Sequence, residues 1–214
     1  MRSKFPSIEL PLVPLAIDAS VMLNLLGTGV AELFLDHLGC PIVMAENAVS
    51  ELKYHPIYKT ELKPLLDSMK QNKSIEEKKL GPAAKDVWRE LVGDGLEKGL
   101  DDGEAATIAM AVVERLDAVV VLDESKARKV FAERWPDRLC VDTVTLLAQR
   151  RVGQGLQDAL ADACFMALQH ARMRVPAEAM AWLVGVIGRD RASQCKAVRR
   201  SLIPRECMSV GGRQ

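Results

Sequence analysis

Two hydrophobic periodicities take turns along the chain. Leu15-Ala16-Ile17 is a short apolar run ending at Asp18, after which Val21, Leu25 and Leu26 recur at helical spacing up to Gly27-Thr28-Gly29. A strand feeding a helix is predicted there. Ala31 to Leu38 reads as another helix, Pro41 to Met44 as a second strand after the break at Gly39, and Glu46 to Tyr54 as helical. Between Lys59 and Gly99 the residues are charged and helix-prone, with turn signals at Pro64, Gly81-Pro82 and Gly93-Asp94-Gly95, so this stretch predicts connecting helices only. An Ala-rich helix follows over Gly103 to Leu116, and Ala118 to Leu122 is the clearest strand. Glu124 to Arg134 is helical, Leu139 to Val141 a short strand, and Thr143 to Arg150 a closing helix.

Strands alternating with helices imply βαβ units, and a continuous apolar strand such as Ala118 to Leu122 implies a parallel sheet buried on both faces. The predicted class is therefore α/β, a small parallel sheet flanked by helices. After Gly153-Gln154-Gly155 the pattern becomes purely helical, over Leu156 to Met173, Ala177 to Ile187 and Ala192 to Leu202. This divides the chain into a body, 1–152, and an all-helical extension, 153–214. The extension's apolar positions, among them Leu156, Leu160, Cys164, Leu168, Trp182, Leu183 and Val186, need burial on the body or on a second copy of the chain, as in a homodimer.

Composition narrows the setting. Nearly half of the 214 residues are hydrophobic, which is a globular composition rather than a disordered one. No apolar stretch reaches the ~18 residues needed to span a bilayer, so no membrane association is expected. The five cysteines are scattered, none at C-x-x-C spacing, and the start of the chain is broken by Pro6, Glu9, Pro11 and Pro14 rather than forming a secretory core. Reduced thiols in a cytoplasmic protein are the expectation. The net charge of zero is unevenly spread: from Arg150 onward there are eleven bases against five acids, so an acidic body carries a basic tail. Such asymmetry accompanies polyanion contact, although solvated helix faces produce it as well.

Several chemistries find no support. Gly27-Thr28-Gly29 lacks the third glycine of a dinucleotide fingerprint and no Gly-Lys-Ser/Thr occurs. His37, His55 and His170 are isolated, without a zinc-ligand spacing.

The carboxylates are more informative. In a parallel α/β sheet, ligands bind beyond the carboxyl ends of the strands near the switch in strand order. Asp18 ends the first strand and the pair Asp123-Glu124 ends the strongest one. Taken singly, each Asp is best read as a helix N-cap. Glu51 and Glu104 lie on helices following the same edge, where they have ordinary readings as a surface residue and as a partner for the helix dipole. Together, four such acids would repel one another unless a cation neutralised them, and oxygen-only donors suit Mg²⁺ or Mn²⁺.

The motifs around these acids resemble those of the PIN-domain family. Leu15 to Leu25 is similar to its opening Asp-x-Ser motif, Ser50-Glu51-Leu52 to its second, and Asp101-Asp102-Gly103-Glu104-Ala105 to the Asp-x-Gly-Glu-Ala helix of one subgroup. Val120 to Arg128 resembles its strand followed by an acid pair, and Thr143-Val144-Thr145 its closing Thr-containing element. The likeness covers residues 15 to about 150, in order. It departs at the third acid, commonly Asp in the family and here Glu104, and in the tail, which the minimal family domain lacks. The resemblance implies a metal-dependent endoribonuclease acting on RNA, often the toxin of a toxin–antitoxin pair and hence with an antitoxin protein as partner. It implies catalysis and Mg²⁺ or Mn²⁺ binding by Asp18, Glu51, Glu104 and either Asp123 or Glu124, Asp123 being favoured by its place at the strand end. Ser20, Arg199 and Arg200 are the expected substrate contacts. A PIN scaffold that has lost turnover and only binds nucleic acid or protein is the alternative.

Overall fold

A computed structural model describes residue 5 and residues 9–93 and 99–198. Five short strands, β1 (Leu15–Ile17), β2 (Ile42–Ala45), β3 (Ile75–Lys78), β4 (Val119–Val121) and β5 (Cys140–Val141), form one sheet in the order β3-β2-β1-β4-β5. Every pairing is parallel, with Ile17 level with Val121 in the central pair. The α/β class expected from the alternation is the class observed.

Successive strand residues feed opposite faces, as a pleated strand requires. Leu15, Ile17, Met44 and Val121 enter one core with helices α1 (Ala19–Gly27), α2 (Ala31–Leu38) and the C-terminal helices. Ala16, Val43, Val120 and Leu122 enter the other, with α5 (Pro82–Val92), α6 (Asp102–Val113) and α7 (Ser125–Arg134). The remaining helices of the body are α3 (Glu46–Glu51), α4 (Lys63–Gln71) and α8 (Thr143–Leu147). No single helix among the described residues is long and apolar enough to cross a membrane.

Two expectations need correction. The stretch from Lys59 to Gly99, read as connecting helices, contains β3. Only Ile75 of this strand is fully buried, and Glu76, Glu77 and Lys78 are tied into ion pairs with Lys70, Arg115 and one another. An edge strand with charged residues is protected against unwanted pairing, and the same charges erase the apolar signal. The helix expected over Glu46 to Tyr54 stops at Glu51, and Tyr54 pairs with Glu61 in an isolated antiparallel bridge.

The extension is helical but broken more often than its pattern suggests. It comprises α9 (Arg150–Leu156), α10 (Ala159–Met166), a π-helical turn (Ala167–Ala171), a 3₁₀ turn (Ala177–Ala179), α11 (Met180–Ile187) and α12 (Arg189–Gln194). The boundary placed at 152 falls inside α9. Residues beyond it, including Leu156, Leu168, Met173, Leu183 and Ile187, share one continuous core with Leu15, Ile17 and Met22. The contact is close: a Cβ on Gly27 of α1 would lie 2.7 Å from the Cβ of Ala171. Arg151 donates to the carbonyls of Leu38 and Leu10, both at 2.8 Å, and the buried Gln149 accepts from the Leu10 N–H at 2.8 Å. The proline-interrupted lead-in is thereby fastened across the base of the extension.

Candidate functional site

The strand order reverses between β1 and β4, because β1 connects to β2 on one side while β4 connects to β5 on the other. Such a switch point leaves a crevice at the carboxyl ends of the two strands. Asp18 follows β1 directly and Asp123 follows β4 after Leu122, so both stand at that crevice, 2% and 6% exposed.

Asp18 is the N-cap of α1, as its bland reading requires, and accepts from the Val21 N–H at 2.8 Å. The Ser20 hydroxyl reaches both of its oxygens, at 3.0 and 2.9 Å. Ser20, expected at the substrate, is thus bonded to Asp18. Burial pushes the Asp18 carboxyl from its ordinary 3.8 up to about 7. The Val21 and Ser20 bonds oppose the rise, and the charges of Asp123 and Glu51 add to it. Capping and a role at the site are therefore compatible, since the cap uses one face of the carboxylate while its charge is felt across the crevice.

Asp123 is held by three donors. The Thr143 N–H reaches Oδ1 at 2.8 Å, and the Thr143 hydroxyl and the Asn24 amide reach Oδ2 at 2.6 and 2.5 Å. Burial raises this carboxyl, against the pull of those bonds and with a further push from Asp142. Asp142 is itself buried, caps α8 through Thr145 and pairs with Arg128 at 2.5 Å. Glu124 turns the other way, to an ion pair with Arg174. Of the two acids left open by the sequence, Asp123 faces the Asp18 crevice and Glu124 sits at its mouth.

Glu104 occupies the third position of α6, whose N-cap is Asp101. Its carboxylate accepts a backbone hydrogen bond from Asp101, the return half of a capping box. Burial, and then the charges of Asp18 and Asp101, lift this carboxyl to about 7 against the pull of the Asp101 N–H and Arg174. Glu51, the last residue of α3, reaches the same helix start and accepts from the Gly103 N–H at 2.9 Å. Burial raises it as well, with Asp102 and Asp101 adding to the effect. Gly103 is what admits Glu51: a Cβ there would lie 2.5 Å from its Oε1.

Asp18 is therefore the hub, sensing Asp123 and Glu51 and being sensed by Glu104. In this arrangement each acid is engaged by a protein donor, and no group of three or more His, Cys, Asp or Glu among the described residues is placed to hold a metal ion. Arg199 and Arg200 lie outside the described residues.

Two participants escaped the sequence reading. Asn24 is a buried polar residue inside the apolar run Met22 to Leu26, a detectable oddity. Asp142 stands directly before a helix, an N-cap signal. Arg174, one of the extension's bases expected either as a phosphate-contacting rim beside the acids or against an acidic partner, reaches the site because the extension folds back over the body. No family model matches this chain, and neither a curated protein nor a solved structure matches it.

Proposed function

We propose that the chain is a metal-dependent endoribonuclease of PIN type, hydrolysing RNA phosphodiesters at the crevice between β1 and β4. The observation that carries this reading is the gathering of carboxylates at one switch point: burial lifts Asp18 and Glu104, the charge of Asp18 adds to the rise at Glu104, and those of Asp123 and Glu51 add to the rise at Asp18. Burying several carboxylates side by side is unfavourable without a cation, and such perturbed groups concentrate at functional sites. The donors are all oxygens, which suits Mg²⁺ or Mn²⁺ in chemistry. Asp18 and Glu104 would hold the cation most directly, with Asp123 and Glu51 balancing its charge. When bound, the cation supplies a Lewis acid for the phosphoryl oxygens and lowers the pKa of water.

The chain's own residues prepare that chemistry. Asn24 and Thr143 fix the orientation of Asp123, and Val21 and Ser20 fix that of Asp18. Glu51 is locked to the start of α6 by a backbone N–H. A toxin–antitoxin setting in the cytoplasm, with an antitoxin protein as partner, belongs to this reading through the PIN resemblance. A homodimer would be a further assembly of the same protein.

A second reading, a scaffold that binds RNA or protein without turnover, is favoured by the engagement of each carboxylate with protein donors and by the lack of a three-acid metal group among the described residues. Incubating purified protein with labelled single-stranded RNA in Mn²⁺, Mg²⁺ or EDTA separates the two. The nuclease reading expects cleavage with either metal and none in EDTA. Binding without cleavage in all three would replace it with the second.

A further inference from the structure

The C-terminal extension carries a cleft of about 920 Å³ whose lining includes Arg172, Arg174 and Lys196 together with Gln169 and Gln194, and no acidic residue among the described residues. Its size is in the range of pockets that enclose substantial ligands. Its walls have a structural origin. The π-helical turn ends at Arg172, which takes a left-handed backbone conformation at φ 61°, and the chain then runs to Pro176 without helix or strand. Met173 is completely buried, so its neighbours on either side, Arg172 and Arg174, both project outward. Lys196 faces them from the segment after α12, and Gln169 bonds to the carbonyl of Gln194 at 3.5 Å across the base.

Arg174 and Val175 line this cleft and also a small cavity of about 50 Å³ that contains Asp123, Asp142 and Arg128. The cationic cleft and the acid crevice thus meet at Arg174, a wall of both, which pairs with Glu124 and draws down the Glu104 carboxyl. Arg191, another base of the extension, is not among the described residues that line the cleft; it pairs with Asp162 at 2.5 Å and lies over Phe165.

We propose that this cleft is the path of single-stranded RNA, Arg172, Arg174 and Lys196 holding successive backbone phosphates so that the next phosphodiester reaches the crevice at Asp18 and Asp123. Guanidinium groups match phosphate oxygens in a fixed fork, and a positively charged groove that tracks the backbone is how unpaired strands are held. The proposal rests on the nuclease reading for what happens at the crevice, but the binding it asserts is measurable without cleavage.

The test uses the full chain in EDTA and a fluorescein-labelled single-stranded RNA, with binding followed by anisotropy from low to moderate salt. Each phosphate contact on a single strand contributes about 0.7 to the slope of log K against log salt, so Arg172→Ala/Arg174→Ala/Lys196→Ala should flatten the slope by about 2 and weaken binding at least ~10-fold at low salt. Arg172→Ala/Lys196→Ala, which leaves the Arg174 pair with Glu124 intact, should flatten it by about 1.4. The side chains are exposed, so melting temperatures should match the parent. Slopes and affinities equal to the parent's overturn the proposal. An oligoglutamate of matched charge should compete poorly, because it offers neither phosphate oxygens nor bases to the cleft. Equal competition would assign the cleft to an acidic protein and overturn the RNA path. Cleft-dependent binding without cleavage in Mn²⁺ would sink the nuclease reading alone. Cleavage whose KM is untouched by the triple variant would sink the cleft alone.

Discussion

Replacing Asp18 by Asn should make the protein more stable at pH 8 in EDTA, and the gain should vanish in acid. The folded state holds the Asp18 proton up to about pH 7, whereas the unfolded chain releases it near the ordinary 3.8. Between those values the folded state binds more protons, so stability falls as pH rises through this window and the loss is complete above about 7. For a group only 2% exposed the full difference corresponds to ~4 kcal/mol. Asn keeps an acceptor for the Val21 N–H and caps helices well, but it weakens the Ser20 bond, which offsets about 1 kcal/mol. The net expectation at pH 8 is a gain of about 3 kcal/mol, or roughly 6–12 °C in Tm for a chain of this size. The variant also removes a charge that lifts Glu104, which acts in the same direction. Thermal unfolding followed by circular dichroism from pH 4 to 9 measures the difference directly. An Asp18→Asn protein less stable than the parent at pH 8, or a gain that does not change with pH, would refute the claim that this carboxylate is held in an unfavourable buried state.

Gly103→Ala should leave stability nearly unchanged, because the lost Glu51 bond and the gain in helix propensity are each about 1 kcal/mol, while RNA cleavage falls sharply as the Glu51 carboxylate is pushed aside. Parallel melting and cleavage assays check the separation, and a variant with parental activity would contradict it. Thr143→Val removes one of three donors to the buried Asp123 and should destabilise by about 1–3 kcal/mol, read by urea unfolding. Truncation after Gly153 removes Leu156, Leu168, Met173, Leu183 and Ile187 from the shared core, a gross burial of about 8–15 kcal/mol that rivals the whole net stability of a domain. The truncated chain should fail to fold cooperatively in a melt, and a sharp transition would show the body to be self-sufficient.

The body of the fold was legible because β1, β2 and β4 are short apolar runs set between amphipathic helices, and burial on both faces leaves no other use for Val119 to Val121. The edge strand β3 was not, since its solvent-facing Glu76 and Glu77 carry the pattern of a helix or loop. The acids were visible as types at strand ends, and the strand order then explains why Asp18 and Asp123 meet. The second layer around them was only partly visible: Asn24 and Thr143 approach Asp123 across 99 and 20 residues of sequence. The basic excess of the extension marked Arg174 as a candidate neighbour of the acids, but its actual pair with Glu124 depends on a tertiary event, the packing of the extension against α1. The placement of the extension within the core likewise follows from contacts such as that of Gly27 with Ala171, which no local periodicity encodes.

The central claim, that the carboxylates of the crevice form one cation site, is tested most directly by calorimetric titration of Mn²⁺ into the full chain at pH 7 in two buffers of different ionisation enthalpy. Asp18 and Glu104 both titrate near 7, so each is about half protonated there, and a cation that takes both must expel about one proton in all. The account predicts saturable binding with a buffer-dependent heat equivalent to that proton, lost in both Asp18→Asn and Glu104→Gln. Absence of saturable Mn²⁺ binding, or binding unchanged in the two variants, would contradict it.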